Sequence, residues 1–135
     1  MVIKAILFDL DGTLFSYDKP HDKAIKSTYE LFKTKYKISF KKYYELFLNA
    51  REEVHKELNG TASEHSKLLY FQKLNEKLEN YKINPTFILK LEEVYWKTFL
   101  NEIKLYDGVI EVFEELKKKN IKIGLITNLT KKIKN

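Results

Sequence analysis

Phe8-Asp9-Leu10-Asp11-Gly12-Thr13-Leu14 decides how the rest of this sequence is read. The residues before it, Val2 to Phe8, are mostly aliphatic and predict a short strand buried in a parallel sheet. Asp9 and Asp11 then sit two apart at the carboxyl end of that strand, and Gly12 marks a sharp change of direction. In extended backbone an i, i+2 spacing aims both carboxylates the same way. Open α/β sheets bind ligands at the carboxyl ends of their strands. Two carboxylates held so close repel unless a cation lies between or beside them, and Mg²⁺, a hard ion content with few protein ligands, meets that need. An isolated Asp-x-Asp would instead be read as a solvated turn. The full seven-residue string after a strand favours the chemical reading.

Beyond the string the pattern turns helical. Ile25, Tyr29, Phe32 and Tyr36 form a first stripe. Ser39 is placed to cap a second helix carrying Phe40, Tyr44, Phe47, Val54 and Leu58, and Asn59-Gly60 breaks it. Thr61-Ala62-Ser63-Glu64 has the form of a capping box opening a third helix, with Phe71, Leu74, Leu78 and Tyr81 inward. Asn84-Pro85 starts a fourth, striped by Leu91, Tyr95 and Phe99. Asp107-Gly108 opens a fifth, with Asp107 as its cap and Val109, Val112, Phe113 and Leu116 on one face. Ile121 to Ile126 is a second aliphatic strand, followed by Thr127-Asn128. The expected layout is a βαβ unit with a helical bundle spliced into its crossover.

Composition narrows the classes. The chain has 135 residues, 44% of them hydrophobic, with nine Phe and nine Tyr, which argues for a packed core. With no cysteine there is no disulfide or thiolate chemistry. No apolar run reaches membrane-spanning length, and the N-terminus lacks the form of a signal peptide, so a soluble, cytoplasmic protein with no membrane partner is the expectation. The net charge of +6 comes almost wholly from lysines spread along the helices. A solvated basic surface is the preferred reading, and no nucleic-acid partner is expected.

FDLDGTL resembles the first motif of the haloacid dehalogenase-like (HAD) superfamily, and Leu125-Ile126-Thr127-Asn128 after the second strand resembles its second. The resemblance covers this whole chain but about the first half of a typical member. It implies an α/β fold: a partial Rossmann-like core of parallel strands at residues 1–17 and 102–135, with a four-helix cap of the C1 type at 18–101. It implies an Mg²⁺-dependent phosphomonoester hydrolase acting through an aspartyl-phosphate on a small phosphorylated metabolite, such as a nucleotide or a sugar or triose phosphate. Asp9 would be the nucleophile and Asp11 the general acid and base. Asp9 and the Asp11 backbone carbonyl would ligate Mg²⁺, and Thr127 and Asn128 would hold the phosphoryl group. Dehalogenases lack the acid at the position of Asp11, so phosphoryl chemistry is favoured over carbon–halogen cleavage. Alternatives are a non-catalytic relative serving as a binding or regulatory module, and a phosphomutase.

Arg51, the only arginine, stands at the edge of the second helix's stripe. It suits bidentate contact with a substrate anion, or a stem laid along the stripe edge with a neighbouring Glu as partner, which is preferred. Tyr17 lines the cleft or lies at a surface hinge. His21, His55 and His65 are too scattered for a metal cluster and read as surface or cap-edge residues. The family also needs a phosphoryl-holding Lys and a later acidic pair. Lys131, Lys132 and Lys134 follow Thr127 too closely for the first, and no acidic residue follows Glu115. The chain alone is therefore expected to be inactive, with its core completed by a second chain or a domain-swapped dimer.

Overall fold

The computed structural model describes residues 2–80 and 82–127. In chain order the elements are β1 (Ala5–Phe8), α1 (Asp18–Phe32), α2 (Phe40–Glu57), a 3₁₀ turn (Ala62–His65), α3 (Lys67–Leu78), α4 (Pro85–Glu102), α5 (Val109–Lys118) and β2 (Lys122–Leu125). The two strands are parallel neighbours, with Ala5 opposite Lys122 and Phe8 opposite Leu125. The expected layout is therefore present: a parallel α/β unit with a helical bundle between its strands. Tyr81, Asn128 and the lysines after it lie outside the described residues, and with them the inward placement of Tyr81 and the phosphate contact of Asn128.

The bundle forms because each helix offers one apolar face. Ala24, Ile25, Thr28 and Phe32 are buried on α1; Tyr43, Phe47, Ala50 and Val54 on α2; Tyr70, Phe71 and Leu74 on α3; Ile88, Leu91, Tyr95, Trp96 and Phe99 on α4. The helix pairs α1 with α4, α2 with α3 and α3 with α4 make the main contacts. On α2 the stripe is turned relative to the sequence reading. Phe40 and Tyr44 are about one-third exposed, and Tyr43 and Ala50 take the inward positions. Tyr43 can be fully buried because its hydroxyl meets that of Thr28 at 2.8 Å while its ring packs on Phe32. Asn75, also fully buried, donates to the Tyr36 hydroxyl at 2.8 Å and accepts from the Asn84 backbone N–H at 3.1 Å. It ties α3 to the end of α1 and to the start of α4, with both of its own side-chain polar atoms bonded.

Helix starts were mostly readable. Ser39 accepts from the Lys42 N–H, and Asn84 from the Phe87 N–H ahead of a helix that Pro85 opens. The expected box at Thr61 is corrected. Glu64 does reach back, but to the Gly60 N–H, and residues 62–65 form the 3₁₀ turn. The true cap of α3 is Ser66, which receives the Leu69 N–H. Asp107 is not the cap of α5 either. Gly108 is, at a φ of 87° that a side chain would strain.

The sheet departs most from expectation. The sequence predicts a buried strand at β1. Instead Ile6 and Phe8 are half-buried while Leu7 is 65% exposed. Phe8 packs edge-on against Phe113 of α5, ring centroids 5.3 Å apart, so α5 covers one face. Among the described residues nothing covers the other, and Val112 on α5 is exposed as well.

Candidate active site

At the end of β1 the chain leaves the sheet and coils. The Leu10 carbonyl accepts the N–H groups of Thr13 and Leu14, and the Gly12 N–H returns to the Phe15 carbonyl at 2.9 Å. Gly12 makes this turn at a φ of 77°. Asp9 remains exposed on the rim, its Oδ2 accepting the Thr13 hydroxyl at 3.0 Å. Asp11 is carried towards the bundle. Its Oδ1 is buried and has no hydrogen-bond partner among the described residues. Burial raises its pKa, the Asp9 charge raises it further, and Lys67 opposes both. Thr127 leaves β2 on the same carboxyl rim, after the Ile126 N–H has donated to the Phe8 carbonyl at 2.9 Å.

Asp11 also lines a cavity of about 580 Å³ whose remaining walls come from the bundle. α1 contributes His21 and Asp22 after Tyr17, α2 contributes Phe47 and Arg51, and α3 with the preceding turn contributes His65, Lys67 and Tyr70. Asp11, Tyr17 and Arg51 thus share one cavity, with Asp9 and Thr127 on the sheet rim beside Asp11. Among the described residues the Glu pairing expected for Arg51 is not formed: Glu52 pairs with Lys56, and Glu53 with Lys77.

The family model of the haloacid dehalogenase-like hydrolases matches residues 3–133. The chain belongs to that family. It is 33% identical over 130 residues to a ribulose-1,5-bisphosphate 5-phosphatase of Halopiger xanaduensis, covering 93% of this chain and 53% of the relative. Its fold is similar to that of a 2-haloacid dehalogenase from Pseudomonas syringae pv. Tomato, with a TM-score of 0.64 at 19% identity over 96% of this chain and 57% of the other. The chain thus spans little more than half the length of either.

In this HAD-family chain the cavity holds groups that sequence reasoning missed. Lys67 is 7% exposed, with the rings of Tyr70, Tyr95 and Tyr17 at 5.0, 5.6 and 6.0 Å from its ammonium. Burial, helped by the Arg51 charge, brings its pKa down to about 8. A signal was available. Lys67 stands four residues before Phe71, on the buried stripe of α3, and in a first turn where the helix dipole disfavours a cation. Two of the histidines meet, though no group of three metal-ligating side chains forms among the described residues. His55 and His65 lie edge to face at 5.3 Å, His55 bonds the Tyr70 hydroxyl at 2.8 Å, and His65 lines the cavity.

His21 stacks on Tyr17, and its Nδ1 lies 2.7 Å from the Tyr95 hydroxyl. Burial first, then the charges of Lys67 and Arg51, lower its pKa to about 4. The folded state keeps this ring neutral, whereas the unfolded chain protonates it near 6.5. Above that value His21 has no effect on stability. As pH falls towards 4 the unfolded state gains a proton that the folded state refuses, a loss of roughly 3 kcal/mol by linkage. Trp96, the one tryptophan of the sequence, is buried in the bundle and reports its unfolding. Urea midpoints followed by its fluorescence should fall less between pH 7 and 4.5 in His21→Gln than in the wild type. Equal losses would show that His21 does not titrate in this way.

Proposed function

We propose that this chain supplies the nucleophile and the substrate-facing bundle of an Mg²⁺-dependent phosphomonoester hydrolase acting on a small phosphorylated metabolite. The observation that carries the reading is the divergent setting of the two rim carboxylates. Asp9 is exposed, with one oxygen fixed by Thr13, while Asp11 is half-buried with its pKa pushed up. A nucleophile and a proton carrier require such a difference.

The Thr13 hydroxyl engages Oδ2 of Asp9, so Oδ1 is the oxygen free to attack phosphorus. As the P–O ester bond breaks, Asp11 gives its proton to the departing oxygen, leaving an aspartyl-phosphate on Asp9. Asp11, now a carboxylate, removes a proton from water, whose oxygen attacks the same phosphorus. Inorganic phosphate leaves, Asp9 is regenerated, and Asp11 holds a proton again. The Thr127 hydroxyl is the candidate for holding a phosphoryl oxygen.

The donor set suits a hard cation: two neighbouring carboxylates, and a buried Asp11 oxygen that no described group satisfies. Among the described residues no third acidic or imidazole group joins them, so the later acidic pair that the family needs would have to complete the site. Asp9 and the Asp11 backbone carbonyl would hold the ion, whose contribution is to neutralise phosphoryl charge.

The expected result with the natural full-length protein is turnover of p-nitrophenyl phosphate that EDTA abolishes and Mg²⁺, but not Ca²⁺, restores. Ca²⁺ takes more ligands at longer bonds and misaligns the attack. Turnover indifferent to EDTA would remove the metal from the mechanism.

A further inference from the structure

We propose that the bundle cavity holds a second phosphate of the substrate, gripped by Lys67 from α3 and Arg51 from α2, so that the substrate is a bisphosphorylated small metabolite. The proposal rests on the reading that Asp9 attacks a phosphoryl group at the sheet rim.

The Lys67 charge is buried among tyrosine rings, with Asp11 acting on it only from beyond ion-pair distance. Lys67 is 7% exposed, and the one hydrogen bond its ammonium makes among the described residues is to the His65 carbonyl, at a long 3.3 Å. An ammonium has three donors. Burying it without an anion is costly, and proteins ordinarily place a carboxylate there. No carboxylate among the described residues lies within ion-pair distance of Lys67 or of Arg51, although nine other basic side chains have such partners. Asp11, Asp18 and Asp22 line the same cavity, and the Asp11 charge acts on Lys67, but none of the three reaches ion-pair distance of either cation among the described residues.

The two cations also converge. Lys67 and Arg51 come from different helices yet line the same space, and each charge disfavours the other. A fold gains nothing from holding two unpaired cations together. A ligand carrying about two negative charges gains from both, and Arg51 adds the planar fork that phosphate oxygens match. The cavity volume of about 580 Å³ is that of a small-metabolite site rather than of a single ion. Asp11 belongs to both the reacting rim and this cavity, so a ligand seated in the cavity borders the rim. The relative at 33% identity bears a bisphosphate in its name.

The test uses full-length protein carrying Asp9→Asn, which cannot turn substrate over, with Mg²⁺ present. Calorimetry compares ribulose 1,5-bisphosphate with ribulose 5-phosphate. The bisphosphate should bind at least about tenfold tighter, the scale of one charge-assisted contact to a buried cation. Adding Lys67→Met or Arg51→Gln should each remove most of that advantage. Lys67→Met should also unfold at no lower a temperature than its parent, because it relieves a buried charge; a structural lysine would destabilise on removal. Equal binding of the two sugars, or an advantage that survives both substitutions, overturns the second-phosphate site while leaving the hydrolase reading intact. Failure of that reading is seen separately, as Asp9→Asn protein that still releases phosphate.

Discussion

Asp9→Asn in the full-length protein is expected to abolish phosphoenzyme formation and to lower kcat by roughly three to six orders of magnitude, the range that loss of a covalent nucleophile reaches. An amide keeps the size and the hydrogen bond from Thr13 but is a far weaker nucleophile towards phosphorus. Asp11→Asn should behave differently. It leaves Asp9 able to attack, and removes the proton that an alkoxide leaving group needs and the base that activates water. Substrates with good leaving groups, p-nitrophenyl phosphate among them, should then phosphorylate Asp9 and stall there. Acid quench after mixing with ³²P-labelled acetyl phosphate and Mg²⁺ separates the three proteins. The wild type should show transient label, Asp11→Asn persistent label, and Asp9→Asn none. Label retained by Asp9→Asn would place the nucleophile elsewhere.

The sequence made the sheet rim legible because its signals are local. A strand, two carboxylates and a turn glycine fall within seven consecutive residues, so spacing alone brings Asp9 and Asp11 together. Helix starts at Ser39 and Asn84 were legible for the same reason: a cap is a contact three residues long. The cavity was not, because its walls come from α1, α2 and α3, and no spacing rule joins residues 21, 51 and 67. Lys67 in particular was lost in a lysine-rich background, where one more lysine reads as surface. Its place on the stripe of Phe71 and Leu74 was the one clue, and it required asking why a cation should occupy a core position. The turned stripe of α2 has a related cause. Phe40 and Tyr44 are as apolar in composition as Tyr43, and the choice between them is settled by the Thr28 hydroxyl on another helix.

A polypeptide limited to residues 1–135 should self-associate and lack phosphatase turnover. Among the described residues, Val2, Ile3, Leu7, Leu125 and Ile126 are 58–82% exposed, all in or beside the two strands. Val112 and Ile110 on α5 add about half of their surfaces. Apolar patches of this kind are rarely left open on monomers, and unpaired aliphatic strands template further pairing. The bundle does not share the problem, since its helices bury Phe32, Phe47, Phe71 and Phe99 against one another. The expected species is therefore a folded bundle joined through its sheet, as a swapped dimer or a larger assembly, or one held by a second chain that covers the sheet. Catalysis should fail for a linked reason. Asp9 is exposed to water on an open rim, whereas phosphoryl transfer is accelerated by fixed charges and dipoles in a site from which water is excluded. Light scattering and p-nitrophenyl phosphate turnover with Mg²⁺ test the two parts together. The masses should exceed that of the 16.2 kDa monomer, with hydrolysis at background. A stable monomer that turns over the ester at an ordinary enzymatic rate would mean that the rim is sufficient as it stands and that its remaining catalytic groups lie within these residues.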